Sequence, residues 1–484
     1  MTSWGSAAAG DGLSAAALVL ADSARLRRYR EYLAFYEGQH YPAPRAGRTN
    51  LVVNYARTIV DKGVSFLMGQ GIGFVVEGDA AAEALLYAVY DGNDLDAVDL
   101  ACATNAAVLG DGVYKVFWDA EQGRIRVVSV DPCGFFARWR ADDLATLQRV
   151  DLVYPLSAAD AAALLVPVPL ASPPSSAGGV LDMRPGASTV RRATARGPAP
   201  LADTPAARVE VVETWTADTL RVAVDGVVWR EEPNPYGVIP FVHVANLPAP
   251  NSFWGRSDLA DVIPLNRELN ERLSDQADAI RFHADPPVVF TGVESHDAVR
   301  VGPGTVWDLP PGADVKLLEW RGAAPTVREH VELVLRALYE TAETPRSAFG
   351  DNGRQLSGVA LETELRPLLQ KTLRKRMVWT AALRRRCRLI FHLAERVGLL
   401  PEGAAAGLRP RVVWPPLLPQ DEARAVANNV ALVRAGLRSH RTAMDVLGVE
   451  APEAELARVR ADRAALGGDE GAAFRAGRVD GAAP

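Results

Sequence analysis

Between Ser252 and Pro286 the chain runs SFWGRSDLADVIPLNRELNERLSDQADAIRFHADP, and this stretch limits the possible folds more than any other. At about 100° per residue, Glu268, Glu271, Asp275 and Asp278 fall on one narrow arc, which Asp258 and Asp261 extend upstream of Pro264. Val262, Leu265, Leu269, Leu273 and Ile280 form an adjoining apolar stripe. Arg256, Arg267 and Arg281 gather on a third side, and Arg272 lies within the acidic arc. An ordinary surface helix needs one apolar and one mixed polar face.

Two readings of this helix follow. In one it is a solvated helix with i,i+4 pairs worth about 0.3–0.5 kcal/mol each. In the other it is repeated around a ring, each copy meeting a different side of the next, and the acidic face lines a lumen. A wall of carboxylates repels phosphate and would let DNA slide past without being held. Pro264 marks either the helix start or a kink.

The rest of the chain is that of a folded protein with several parts. Its 484 residues exceed one compact core, and 48% hydrophobic with 23% charged residues suffice to bury more than one. The net charge of −6 does not suit a surface that coats nucleic acid. Three scattered cysteines, Cys102, Cys133 and Cys387, point to a reducing compartment and read as small apolar fillers. LSAAALVLA lies between Asp11 and Asp22 without basic residues ahead of it, which is not a signal-peptide pattern, and no run reaches the roughly 20 apolar residues of a membrane span. A soluble intracellular product is expected.

Periodicity places a helix over Leu26–Tyr36 ending at Gly38, and a second across VVNYARTIVDKGVSFLMG with Val53, Ala56, Ile59, Val60, Val64 and Leu67 on one side. GQGIGF follows a helix and reads as a turn, not a phosphate loop. Strand-like runs occupy 113–140 and 209–231, and Pro-, Ala- and Ser-rich residues 166–207 between them read as a surface insertion or flexible loop. Strands return over 286–320. A helix from Thr326 to about Thr341 carries Val327, Val331, Val334, Leu335 and Leu338, and a long one runs from an N-cap at Ser357 to about Val397, with a kink expected at Pro367. A strand, PRVVW, precedes a helical C-terminal region, and GGDEGAAFRAGRVDGAAP reads as a frayed tail.

Catalytic signatures are weak. No Gly-Lys pair offers a Walker A loop, and the serine of GRSD lacks nucleophile-elbow spacing. The seven histidines form no HxH or HExxH pair, and His283 with His296 reads as surface. The basic run KTLRKRMVWTAALRRRCR (371–388) fits a nucleic-acid patch or, better in an acidic chain, an intersubunit or solvated face. Arg346, Asp351, Asn352, Arg354 and Gln355 sit on a Gly-containing segment that suits light contact with a passing phosphate backbone, or a plain connection.

The order of NPYGVIPFVHVANLP, SFWGRSDLADVIPLNRELNERLSDQADAI, a short β module, a second helix, a Gly-rich loop near ETPRSAFG and SGVALETEL resembles the portal proteins of tailed double-stranded-DNA bacteriophages. RYREYLAFYEGQHY and TNLVVNYARTIVDKGVSFLMGQGI are similar to that family's N-terminal wing, so the likeness covers about residues 25–460. The resemblance implies an α+β subunit: wing 1–250, first stem helix 251–284, clip 285–323, second stem helix 324–343, tunnel loop 344–357, long kinked helix and wing return 358–415, and crown and tail 416–484. It also implies a ring, expected to be a dodecamer, at one capsid vertex of the virion, assembled in the bacterial cytoplasm. DNA would pass without sequence preference along the stem carboxylates of residues 268, 271, 275 and 278. The implied partners are a terminase motor, capsid and scaffold proteins, and head-completion or adaptor proteins, with no cofactor, metal, membrane or catalytic role. Two alternatives from other classes are a metal-dependent DNA-processing enzyme of a mobile element and a head-tail adaptor or minor capsid protein.

Overall fold

The computed structural model describes residues 14–41, 43, 48–157, 160, 208–284, 288–292, 311–317, 324–350, 358–418, 422–449, 452–453 and 455–462. The chain divides into two units, Met1–Pro415 and Pro416–Pro484.

The first unit opens with helices α1 (Ala15–Ala21), capped by Ser14, and α2 (Ser23–Tyr36), after which Gly38 takes a positive φ of 92°. Helix α3 (Tyr55–Met68) is capped by Asn54, whose side-chain oxygen accepts from Arg57 N at 3.0 Å, so Val53 belongs to its lead-in and not to its apolar face. That face, Ala56, Ile59, Val60, Val64 and Leu67, is buried as the spacing implies. The glycines of GQGIGF form the turn into strand β1 (Gly73–Val76). Helices α4 (Ala80–Gly92) and α5 (Leu95–Leu109) come next, where the periodicity reading assigns nothing. Helix α5 is alanine-rich, exposes Ala97, Leu100 and Ala101 and buries Asp99, so its sequence has no contrasting polar face to reveal it.

Ten strands follow in chain order. Strands β2 (Asp111–Asp119), β3 (Arg124–Val130), β4 (Phe135–Trp139), β5 (Leu147–Ser157), β6 (Arg208–Trp215), β7 (Thr219–Val224), β8 (Val227–Pro233) and β9 (Phe241–Ala245) build two antiparallel sheets, ordered β3-β2-β9 and β4-β5-β6-β7-β8. The insertion predicted at 166–207 falls between β5 and β6, outside the described residues. Asp225 and Gly226 both have positive φ, 48° and 79°, as the two-residue turn between β7 and β8 demands. Strands β10 (Leu247–Pro248) and β11 (Gly255–Arg256) pair with each other.

The three-faced stretch becomes helix α6 (Val262–Ala284). It starts at Val262, not at 251, because β11 and a turn occupy the preceding residues, and Pro264 sits in the first turn, where its missing N–H has no helical acceptor. Strands β12 (Val288–Thr291) and β13 (Asp314–Leu317) pair antiparallel, and helix α7 (Ala324–Thr341) leads to a short 3-10 turn at Arg346–Phe349. Helix α8 (Gly358–Arg396) runs on through Pro367, about 58 Å in all. Its expected cap, Ser357, lies outside the described residues. Trp379, Leu383, Ile390 and Phe391 of α8 are fully buried in the core against α3, β2 and β9. Strand β14 (Pro410–Val413) then pairs with β1, Val412 opposite Phe74. The result is the α+β class that the sequence implied.

The second unit contains helices α9 (Glu422–Arg434) and α10 (His440–Val446), joined by a turn in which Arg438 donates to the Asn429 side chain at 2.5 Å.

Candidate functional site

Helix α6 carries, besides its carboxylates and leucines, four small hydrogen-bonding residues at steps of four: Asn266, Asn270, Ser274 and Asp278. They grip the segment that leads into α3. Thr49 N donates to Asp278 at 3.0 Å, Leu51 N to Ser274 Oγ at 3.0 Å, Val53 N to Asn270 Oδ1 at 3.0 Å, and Ala56 N to Asn266 Oδ1 at 3.0 Å. Asn266 also donates to Val53 O at 2.9 Å.

The match is one of repeat lengths. Four residues of helix rise about 6.0 Å, and two residues of extended chain about 6.6 Å. Donors at 49, 51 and 53 therefore stay level with acceptors at 278, 274 and 270. The next step lengthens to Ala56 as the chain begins to coil into α3. Asn266, Asn270 and Ser274 are fully buried, so each needs such partners to offset desolvation. Their i,i+4 spacing was the available signal for this seam, which the reading by charge overlooked.

His40 completes it. Its ring stacks on Phe35 with centroids 3.8 Å apart. It lies 3.0 Å from Phe35 O through Nε2 and 2.6 Å from Asn270 Nδ2 through Nδ1. A carbonyl on one side and an amide donor on the other assign the neutral tautomer with its proton on Nε2. Burial, first among the causes, and the nearby Arg267 lower its pKa, against the Phe35 carbonyl and Asn54, which raise it.

The acidic arc divides. Asp278 belongs to the ladder, accepting also from Thr49 Oγ1 at 2.5 Å, and these bonds hold its carboxyl below the usual range. Glu268 and Asp275 both bind Arg272, at 2.7 and 3.0 Å, which accounts for the arginine placed within the arc. Glu268 also reaches His330 of α7 at 3.3 Å. Glu271 makes no hydrogen bond or ion pair among the described residues. Asp258, read as an upstream extension of the stripe, is instead fully buried. The residue lies in the turn before α6, and the helical wheel does not apply to it. Of the third-side arginines, Arg267 meets Glu31 at 3.3 Å, Arg281 meets Thr49 Oγ1 at 3.3 Å, and Arg256 pairs with Asp261.

Asp258 is the centre of a hub. Lys375 bonds its carboxylate directly, Lys371 stands 3.2 Å away, and Asn246 donates from 3.3 Å. Lys371 also donates to Ala342 O at 3.0 Å, just past the end of α7, and Asp258 N donates to Ala107 O of α5 at 2.9 Å. Both long helices are thereby tied to α8 and to the body. Burial alone would raise the Asp258 pKa; the two ammonium groups outweigh it and bring it down to about 2. Gly110, at φ 103°, permits the approach of the hairpin, since a Cβ there would lie 2.8 Å from Gly255 O.

The basic run follows neither sequence reading as a whole. Lys371, Lys375, Arg376 and Arg386 face inward, and Arg386 pairs with Asp99 beneath Tyr114. Arg374, Arg384, Arg385 and Arg388 are exposed, with Arg374 bidentate on Glu343 at 2.6 and 2.7 Å. A run of cations along a helix that is buried on one side must divide this way; Lys371, Lys375 and Arg386 carry counter-charges inward, while Arg376 donates to Pro415 O at 2.7 Å and lies over the Trp414 ring.

Of the loop residues, Arg346 lies in the 3-10 turn with its guanidinium 6.0 Å from the Tyr339 ring centroid. Asp351, Asn352, Arg354 and Gln355 lie outside the described residues, as does most of 285–323 with His296. Cys102 and Cys387 are buried and Cys133 half-buried, all as free thiols. Among the described residues no three His, Cys, Asp or Glu side chains converge as a metal site, and no helix is long and apolar enough to cross a membrane.

The sequence profile described as "Phage portal protein, SPP1 Gp6-like" matches residues 19–151 and 210–467, far more than half of the chain. The chain belongs to this family of phage portal proteins. The break in the match, 152–209, takes in the predicted insertion. A solved chain described as "Neck of empty GTA particle computed with C6 symmetry" is similar to this portal protein with a TM-score of 0.47 at 12% identity, covering 86% of this chain and 92% of that one. No curated protein sequence matches.

Proposed function

We propose that this portal protein assembles as a ring, a dodecamer by the family expectation, at one vertex of the phage capsid, and that double-stranded DNA passes through the ring during packaging and ejection. In this reading α6 and α7 form the stem, 285–323 the clip, 344–357 the tunnel loop, 1–250 and 358–415 the wing with its return, and 416–484 the crown. The clip is the docking place for a terminase motor and later for head-completion proteins, and the wing meets capsid and scaffold.

One observation carries the reading beyond the family match: the way α6 and α7 are anchored. A conduit that transmits force needs stem helices that do not slip against the body. The Asn266–Asn270–Ser274–Asp278 ladder fixes α6 along its length, and the Asp258–Lys371–Lys375 hub fixes its start together with the end of α7. Glu271, the arc carboxylate with no described partner, is the first candidate for the lumen wall.

The test is native mass spectrometry together with electron microscopy of the purified full chain viewed down the particle axis. Closed rings of about a dozen copies with the 262–284 helix lining the hole support the proposal. A chain that never exceeds a few copies, or a helix whose acidic arc points away from the hole, overturns it.

A further inference from the structure

A cavity of about 490 Å³ opens in the first unit between α8 and β9, within the size range of sites that take small ligands or a few side chains. Its floor is apolar and aromatic, formed by Phe241, Phe253 and Leu389. Arg385, Arg388 and His392 line it from one face of α8, at the i, i+3 and i+7 spacing that brings side chains to one side of a helix.

These arginines differ from the inward cations of the same helix. Of those, Lys371, Lys375 and Arg386 each have a carboxylate, and Arg376 has a backbone carbonyl and the Trp414 ring. Among the described residues Arg385 and Arg388 have no carboxylate, although the chain carries more acidic than basic side chains. The exposed Arg385 donates, among the described residues, to His243 O alone, at 3.2 Å. Two exposed guanidiniums beside an apolar cavity, with no carboxylate of their own, gain by pairing with an anion whose apolar neighbours displace water from the same space.

We propose that this cavity receives an acidic peptide segment of a partner protein, a carboxylate of which pairs with Arg385 and Arg388 while an adjacent aromatic or aliphatic side chain fills the space over Phe241, Phe253 and Leu389. A duplex satisfies the arginines equally well with its phosphates but keeps its bases stacked inside and brings no apolar group for the floor, so the combination selects a peptide. The proposal is independent of which residues line the channel.

The test selects from a random decapeptide library on the purified full-length protein and measures affinities of enriched peptides by fluorescence polarisation. Enriched sequences are expected to hold Asp or Glu within two positions of Phe, Trp or Leu. Affinity should fall about tenfold or more, roughly 1.4 kcal/mol, in the Arg385→Glu/Arg388→Glu variant. It should fall similarly in Ala145→Trp, which narrows the cavity from its exposed loop without touching the arginines. Replacing the peptide's aromatic residue by Ser should weaken binding as well. Circular dichroism melts identify any variant that has lost its fold, and Arg388→Gln then replaces the charge reversal. The proposal fails if no such motif is enriched or if the folded variants bind as tightly as the parent. It fails also if a duplex of about 20 base pairs displaces the peptide and depends on the same arginines, which would assign the cavity to nucleic acid.

Discussion

Asn270 Oδ1 accepts at 3.0 Å from the backbone N–H of Val53, a residue 217 positions earlier in the chain. The same amide donates to His40, so one buried side chain joins α6, the lead-in to α3 and the end of α2.

Truncating the ladder should expose this dependence. Asn266→Ala leaves Ala56 N–H and Val53 C=O without their partners in a buried setting, which costs about 1–3 kcal/mol. Asn270→Ala should cost a similar amount. Urea denaturation monitored by tryptophan fluorescence checks both, and a midpoint within error of the parent would remove the ladder from the account of how α6 is held.

The His40 contact should make the protein sensitive to mild acid. Its folded pKa lies below the ordinary value of 6.5, so the unfolded chain takes up the proton more readily, and stability falls as pH drops below about 6.5. Protonation at Nδ1 would also set two donors, imidazolium and amide, against each other at Asn270. The thermal midpoint of the parent is expected to fall between pH 7.5 and 5.5, and that of His40→Gln to fall less. Differential scanning fluorimetry across the pH series reads this directly.

Removing the hub carboxylate should be more damaging. Asp258→Asn strands two ammonium groups in the interior, at about 3–5 kcal/mol. Adding Lys375→Met should recover part of the loss, because an apolar chain replaces one of the stranded charges. For the parent, a carboxyl held at about 2 against an ordinary 3.8 contributes stability that is full above pH 3.8 and lost as pH falls towards 2. Chemical denaturation of the single and double variants at neutral pH separates the two contributions.

Channel charge is best probed at Glu271. Reversal of Glu268, Asp275 or Asp278 breaks bonds to Arg272, His330 or Thr49 as well as changing the charge. Glu271→Lys is expected to leave the melting curve and ring assembly unchanged while slowing DNA packaging in an in vitro translocation assay. An unchanged rate would argue against a lumen position for this residue.

Strands β2 to β4 and β6 to β8, the apolar faces of α3 and α7 and the extent of α8 were legible in the sequence, because each has a periodic contrast between buried and exposed positions; strand β5 was not read there. Helix α5 was not legible either, since its exposed face carries Ala97, Leu100 and Ala101 and its buried face carries Asp99, which erases that contrast. The charged residues of 252–286 and 371–388 could be placed on helix faces but not given partners. A wheel puts Asp278 beside Asp275, yet one holds Thr49 and the other Arg272. The same wheel treats Lys375 as it treats Arg374, yet one is buried on Asp258 and the other exposed on Glu343.

By itself, then, the sequence determined many of the local conformations and the α+β class, because these follow from short-range periodicity and turn chemistry, and its order of segments carried the resemblance to phage portal proteins. Only the tertiary structure decided which polar side chains are seams and which are surface. That depends on partners some 100–230 residues away, whose approach no local pattern encodes.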